Sequence, residues 1–190
     1  MIASPARARA AWAASWAGPL GLALLVLGAE WGRALAIREW PVPGQLAGGA
    51  LLCLCAFGFP PAVLGLGRDR LPARLLGGLA LTAVLLLPAA VRWTGALPLS
   101  GGLAAAVVVV AVGEEVAFRG ALFAAFERTW GGPAAVLGTT AVWTAAHVLS
   151  HPPQFLFAVA GAGLMLGCWR LYARDLVGPV IAHVLADLAL

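Results

Sequence analysis

The chain has 190 residues, of which 62% are hydrophobic and only 11% are charged. Soluble domains carry roughly 25% charged residues, so this composition cannot cover a water-exposed surface but suits an outer surface that faces lipid. All basic residues are arginines, and the net charge of +4 is spread over short segments between apolar runs. Such a distribution reports membrane topology rather than a nucleic-acid-binding face. We therefore exclude a soluble or nucleic-acid-binding protein and predict a polytopic membrane protein.

Uncharged stretches predict the membrane-spanning helices, because a charged side chain in the hydrocarbon core is costly. The uncharged or apolar stretches cover 10–29, 40–67, 75–91, 93–113, 129–169 and 176–190. The stretch 129–169 is long enough for two helices, and Pro152 and Pro153 divide it. The first stretch is predicted to be an uncleaved span. We predict an all-α transmembrane helix bundle with about seven spans, and with six or eight as alternatives.

The arginines predict the orientation of these spans. If the N-terminus is cytoplasmic, eight arginines fall inside and three outside, which favours this orientation. The inside set is Arg7, Arg9, Arg68, Arg70, Arg74, Arg128, Arg170 and Arg174, and the outside set is Arg33, Arg38 and Arg92. An alanine- and arginine-rich chain without lysine suggests a bacterial inner (cell) membrane protein. Residues 1–190 contain no repeat or charge block, so they are predicted to form a single membrane domain.

Two adjacent glutamates interrupt an apolar segment. The turn formed by Ser100 and the two glycines after it predicts a helix that starts near Leu103 and runs through Phe126. Glu114 would then lie roughly 16 Å along this helix, near the middle of a 30 Å hydrocarbon core. The alternative is a span over 93–113 that leaves both glutamates at a membrane interface.

The spacing of the charged residues predicts different roles for the two glutamates. Glu115 and Arg119 are four residues apart, so they share a helix face and can form an ion pair. Arg119 is five residues from Glu114, which places the two about 140° apart around the helix. We therefore predict that Glu115 is neutralised and that Glu114 is left free for general base work in a partly dry cavity.

The three histidines all follow this helix in the chain. His147 comes one helical turn after Trp143, and His183 comes one turn before Asp187. Each spacing places the two side chains of the pair on one helix face. His151 directly precedes the proline pair and is predicted to be a loop histidine. Ionisable groups inside a membrane usually face the bundle interior, so we predict that Glu114 lies close to His147 and His183.

These motifs resemble those of the CPBP intramembrane proteases, the family that contains the CAAX prenyl endopeptidase and bacteriocin-processing relatives. EEVAFR at 114–119 resembles the family's EExxxR signature, WTAAH at 143–147 resembles FxxxH, and HVLAD at 183–187 resembles HxxxN. All three motifs occur in the family's order, each in an apolar segment. The resemblance covers a motif-bearing core at about 100–190.

The resemblance implies hydrolysis of a peptide bond within the membrane by a glutamate-activated water. Glu114 matches the general base and His147 its assistant, while His183 and Asp187 match groups that help to stabilise the oxyanion. The second glutamate and the arginine of the first motif match a supporting pair. The implied site comprises Glu114, Glu115, Arg119, His147, His183 and Asp187.

The chain departs from the family pattern at two positions. Trp143 replaces phenylalanine, which preserves an aromatic wall but enlarges it. Asp187 replaces the commoner asparagine, and an ionised carboxylate cannot donate a hydrogen bond to an oxyanion. We therefore expect Asp187 to orient His183 and to favour the charged form of its imidazole.

Metal dependence is open within this family, whose members have been described both as metalloproteases and as glutamic proteases. The chain lacks the HExxH zinc signature, and we predict no cofactor. A three-ligand zinc site at Glu114, His147 and His183 is the alternative.

The predicted function is an intramembrane endopeptidase that acts on a membrane-associated protein or peptide, in protein maturation or C-terminal sorting. The predicted partners are this substrate and the lipid bilayer, with no nucleic acid. A proton-coupled transporter and a noncatalytic membrane scaffold are the alternatives, since either could use intramembrane ionisable residues.

Overall fold

The computed structural model of the protein describes residues 18–67, 69–91 and 99–189. The described residues form a bundle of helices without a β-strand, as the predicted all-α class requires. The helices are α1 (Gly18–Ala36), α2 (Pro41–Leu54), the short α3 (Pro61–Leu64), α4 (Leu71–Val91), α5 (Gly101–Glu115), α6 (Phe123–Trp130), α7 (Gly132–Ala146), α8 (Leu156–Ala173) and α9 (Val177–Ala189). A π-helical turn, Val116–Leu122, joins α5 to α6.

Three helical segments in the described part of the chain are long and apolar enough to cross a membrane: Gly18–Ala36, Gly101–Trp130 and Pro153–Ala173. Large apolar and aromatic side chains point outward from the bundle, as on Phe157 (82% exposed) and Tyr172 (84% exposed). Such an apolar exterior fits an integral membrane protein. The number of spans stays a prediction.

Two predicted boundaries were wrong because some charged residues lie inside helices. α1 continues through Glu30 and Arg33, and both side chains are buried. Arg170 is likewise buried in α8, where it donates hydrogen bonds to the carbonyl oxygens of Arg119 and Val63. Arg33 and Arg170 are therefore not loop charges. The arginine count without them is seven against two, and the orientation stays a prediction.

Some predicted features fall on residues outside the described ranges. These are the start of the first span at residue 10 and four arginines of the orientation count, Arg7, Arg9, Arg68 and Arg92.

The helix that carries the two glutamates begins at the predicted turn. Ser100 is its N-cap, and the Ser100 hydroxyl accepts a hydrogen bond from the backbone N–H of Leu103. The helix then runs from Gly101 to Trp130 as one 30-residue segment. Glu114 therefore lies near the middle of this helix, as expected, and not at the end of a helix over 93–113.

Two glycines allow α2 and α5 to cross at very close range. A Cβ atom on Gly113 would lie 2.4 Å from the carbonyl oxygen of Gly49. Small residues let helix backbones approach closely in membrane proteins, where packing stabilises helix association. Because Gly113 directly precedes Glu114, this crossing fixes the backbone from which the first glutamate projects.

A buried aspartate fixes the start of α9, the helix that carries the last motif. The Asp175 carboxylate accepts hydrogen bonds from the backbone N–H groups of Val177 at 3.0 Å and Gly178 at 2.9 Å. It also accepts one from the indole of Trp169 in α8 at 3.1 Å. The N-terminal turn of α9 is therefore capped and tied to α8.

Candidate active site

The residues of the three motifs lie together in the middle of the bundle. Five are buried, with exposed fractions of 8% or less, and the sixth, Asp187, lies at the rim with 35% of its side chain exposed. The buried five are Glu114, Glu115, Arg119, His147 and His183. They project from α5, the π turn, the residue that follows α7, and α9, so the fold brings together residues up to 69 positions apart in the chain.

Glu115 forms the predicted ion pair and has a second partner. Its Oε1 lies 2.9 Å from a guanidinium nitrogen of Arg119. The same oxygen accepts a hydrogen bond from Nδ1 of His183 at 2.9 Å. Because a carboxylate only accepts, His183 must carry a proton on Nδ1. Glu115 thus joins the π turn to α9 and sets the orientation of the His183 ring.

Glu114 is not free, contrary to the prediction. Its Oε2 accepts a hydrogen bond from the indole N–H of Trp143 at 2.8 Å. Its Oε1 lies 3.4 Å from a guanidinium nitrogen of Arg33 on α1. Buried charges need such partners, because burial removes their hydration. The Glu114 carboxylate is therefore held from two sides, by α7 and by α1.

His147 turns its second ring nitrogen toward Glu114. Nδ1 lies 2.8 Å from the carbonyl oxygen of Trp143, and since a carbonyl only accepts, Nδ1 carries the proton. A neutral His147 ring therefore presents the lone pair of Nε2, which lies 3.9 Å from Oε2 of Glu114. Two hydrogen-bond acceptors thus face each other across a gap too long for direct contact.

His183 faces the same glutamate oxygen from α9. Its Nε2 lies 4.0 Å from Oε2 of Glu114 and 3.5 Å from Oδ2 of Asp187. With Glu115 at Nδ1, the ring lies among three carboxylates, which favours the charged imidazolium over the neutral form. In that form, Nε2 is a hydrogen-bond donor directed into the site.

Arg119 links the two glutamates through Trp143. Its guanidinium carbon lies 3.9 Å from the centroid of the Trp143 ring, so the cation stacks on the ring face. Nε and one terminal nitrogen of Arg119 have no hydrogen-bond partner. The stacking contact with the Trp143 ring takes the place of those hydrogen bonds. The Glu115–Arg119 pair therefore supports the indole that binds Glu114.

The π-helical turn between α5 and α6 contains Arg119. Such turns are rare, and those that occur are often found at functional sites, because the extra residue shifts the side chains that follow it. Phe118, Leu122 and Phe123 in and after this turn are fully buried and anchor it in the core.

The third histidine lies outside this group. His151 is in the loop between α7 and α8, as predicted, with its ring stacked on Phe155 at a centroid distance of 4.8 Å. Burial, followed by the nearby His147, lowers the pKa of the His151 imidazole, so the ring is mainly neutral at neutral pH. The His147 and His151 ring centroids lie 5.2 Å apart.

A polar cluster on α1 and α2 was not predicted from the sequence. Arg33 lies 2.6 Å from Oε2 of Glu30, and it donates a hydrogen bond to the Gln45 side chain at 2.7 Å. The available signal was a glutamate and an arginine three residues apart, flanked by apolar residues. This spacing places both on one helix face.

The motif residues as arranged do not fit a zinc ion. Ligand atoms of tetrahedral zinc lie roughly 3.3 Å apart, given metal–ligand bonds of about 2.0 Å. Here, the Nε2 atoms of His147 and His183 lie 3.9 and 4.0 Å from Oε2 of Glu114, and Trp143 already donates to that oxygen. Throughout the described ranges, no set of three His, Cys, Asp or Glu side chains is arranged to hold a metal ion. Metal independence stays a prediction.

Comparison with known proteins identifies the part of the chain that carries the site. A family model described as type II CAAX prenyl endopeptidase Rce1-like matches residues 96–189, about half of the chain. This range contains all three motifs, whereas α1 and α2 lie outside it. No curated protein and no solved structure matches the chain. Through residues 96–189, the chain belongs to the Rce1-like CAAX protease family, a family of intramembrane endopeptidases.

Proposed function

We propose that this protein hydrolyses a peptide bond of a membrane-associated substrate with a water activated by Glu114 and His147. The observation that carries the proposal is the convergence of two imidazoles on one carboxylate oxygen. Nε2 of His147 and Nε2 of His183 lie 3.9 and 4.0 Å from Oε2 of Glu114.

The gap between Glu114 and His147 has the size needed to hold a nucleophilic water. Two hydrogen bonds of about 2.8 Å from one oxygen span such a gap at an angle of about 90°. Both groups accept hydrogen bonds when His147 is neutral, so a water there donates to both of them. Glu114 then takes one proton as the water oxygen attacks the carbonyl carbon of the scissile bond.

His183 is suited to stabilise the negative charge that follows. As an imidazolium, it donates from Nε2 to the oxygen anion of the tetrahedral intermediate. The carbon–nitrogen bond breaks as the proton held by Glu114 passes to the leaving nitrogen. Asp187, 3.5 Å from Nε2, supports the charged form of the ring, in the orienting role expected for an aspartate at this position.

Glu115 and Arg119 act as supporting residues in this mechanism. Glu115 holds His183 through Nδ1, and Arg119 holds Trp143 through its ring face. The water and the reacting carbonyl lie between Glu114 and the Nε2 atoms of His147 and His183. In this mechanism, neither Glu115 nor Arg119 contacts the carbonyl.

The remaining features of the proposal follow from the sequence. The protein would be an N-inside protein of a bacterial inner membrane, with one membrane domain and no cofactor. Its substrate would be a membrane-associated protein or peptide, processed during maturation or C-terminal sorting. The seven-to-two distribution of the remaining arginines, counted without Arg33 and Arg170, supports the orientation.

Terminal-peptide mass spectrometry on host membranes tests the proposal without a guessed substrate. Membranes from cells with the native protein are compared with membranes from cells with Glu114→Gln at matched expression. Glu39→Gln, at an exposed glutamate before α2, is the control. We expect specific new termini with the native protein and with the control, and none of them with Glu114→Gln. If all three samples have the same termini, the protease proposal is wrong, and proton flux in liposomes tests the transporter.

A further inference from the structure

Arg33 extends the site beyond the segment that matches the protease family. It lies on α1, whereas the matched residues begin at 96. Its guanidinium nitrogen Nη2 lies 3.4 Å from Oε1 of Glu114 and 2.6 Å from Oε2 of Glu30. One cation is therefore shared between two buried carboxylates from different helices.

The position of the Arg33 guanidinium is fixed by several contacts. Nε and Nη2 both donate to Glu30, and Nη1 donates to Gln45 at 2.7 Å. The aliphatic part of Arg33 lies across Gly48, where a Cβ atom would approach the Arg33 side chain to 2.4–2.6 Å. Contacts from α1 and α2 thus fix the guanidinium so that one of its nitrogens faces Glu114.

We propose that Arg33 is a positioning residue for Glu114, held in place by Glu30. It fixes Oε1 and supplies positive charge, so that the carboxylate stays ionised and its Oε2 stays directed at the two imidazoles. The inference rests on the proposed function, because it acts through Glu114 as the general base. The competing explanation is a purely structural ion pair in which Glu30 neutralises a buried arginine.

Neutral substitutions separate these two explanations. Arg33→Gln removes the cation but leaves Glu30 buried without its partner, so it also destabilises the fold. The double variant Glu30→Gln/Arg33→Gln removes both charges and leaves two amides that can bond each other. If Arg33 and Glu30 form a purely structural pair, the double variant should have normal activity. If Arg33 positions Glu114, the activity of the double variant should stay low.

The assay uses the full-length protein in detergent and a quenched peptide that spans the cleavage site found by terminal-peptide mass spectrometry. We expect kcat to fall about 10- to 100-fold in Arg33→Gln and in the double variant, with KM changed by less than about threefold. Arg33→Lys keeps the charge but lacks the planar fork of donors that the guanidinium presents to its partners, so it should retain part of kcat. Arg38→Gln, at an exposed arginine, should match the native protein.

The outcomes are distinguishable from failure of the proposed function. If the native protein and Glu114→Gln do not differ, the endopeptidase proposal fails. If they differ but the double variant keeps kcat within twofold, or if the loss lies entirely in KM, the positioning role is wrong. If neither neutral variant folds, Gly48→Ala decides, because it keeps both charges and displaces the Arg33 side chain. A folded Gly48→Ala variant with native kcat would overturn the inference.

Discussion

The indole N–H of Trp143 donates a hydrogen bond to Oε2 of Glu114 at 2.8 Å. This contact joins the first and second motifs directly, and a phenylalanine at position 143 could not form it. The same ring packs edge-on against both motif histidines, at 4.9 Å from His147 and 5.7 Å from His183. The larger side chain therefore does more than form an aromatic wall, because it also binds the general base.

Trp143→Phe tests this contact and keeps a smaller aromatic ring at the position. We expect about a tenfold fall in kcat, because a charge-assisted hydrogen bond to the carboxylate is lost. KM should change little, since the indole N–H points at Glu114. The measurement is steady-state cleavage of the peptide that spans the identified site. Trp130→Phe, at a half-exposed indole on α6, is the matched control, and equal kcat in the two variants would contradict the prediction.

Arg119→Met should destabilise the protein strongly. Arg119 and Glu115 are both fully buried, and removal of Arg119 leaves Glu115 without its ion-pair partner, although the hydrogen bond from His183 remains. Loss of one partner of a buried ion pair costs up to about 3–5 kcal/mol. Thermal and denaturant unfolding in detergent would measure the loss.

The double variant Glu115→Gln/Arg119→Met separates stability from activity. It removes both charges, so it should be more stable than Arg119→Met alone. It should still be inactive, because Glu115 no longer holds His183 as an imidazolium and Arg119 no longer supports Trp143. A stable and active double variant would contradict the supporting role of the pair in catalysis.

Gly113→Ala should weaken the crossing of α2 and α5. Its Cβ would lie 2.4 Å from the Gly49 carbonyl oxygen, which is backbone and cannot rotate away. Overpacking of this kind costs about 1–3 kcal/mol and should also displace the adjacent Glu114, which lowers kcat. Gly102→Ala is the control on the same helix, since a Cβ there meets nothing within 4 Å. Equal unfolding midpoints for the two variants would contradict the prediction.

Local spacing predicted those features that depend on one helix. The turn at Ser100 that precedes the helix, the Glu115–Arg119 pair and the shared face of His183 and Asp187 each follow from turn chemistry or from a four-residue spacing, although the helix begins at Gly101 rather than near Leu103. These contacts are determined by backbone geometry within a helix, so the sequence contains the information to find them.

Contacts between helices were not accessible in the same way. Arg33 and Glu114 are 81 residues apart, and nothing in the spacing of either helix predicts that they meet. The rule that charges end a span also misplaced Arg33 in a loop, because it ignores buried ion pairs within the bundle. The direction of the Trp143 indole depends on a rotamer that packing selects, so its bond to Glu114 required the structure.

The two histidines that follow α7, His147 and His151, should respond very differently to substitution by alanine. His147→Ala removes a group that faces Glu114 across 3.9 Å, and loss of such an acid–base partner costs about 10²- to 10⁴-fold in rate. His151→Ala removes a loop ring that stacks on Phe155, so kcat should stay within about twofold of the native value. The comparison uses the same peptide assay, with unfolding midpoints to confirm that both variants fold. If His151→Ala lost as much activity as His147→Ala, the loop histidine would have to take part in proton transfer, and the assignment of water activation to Glu114 and His147 alone would be wrong.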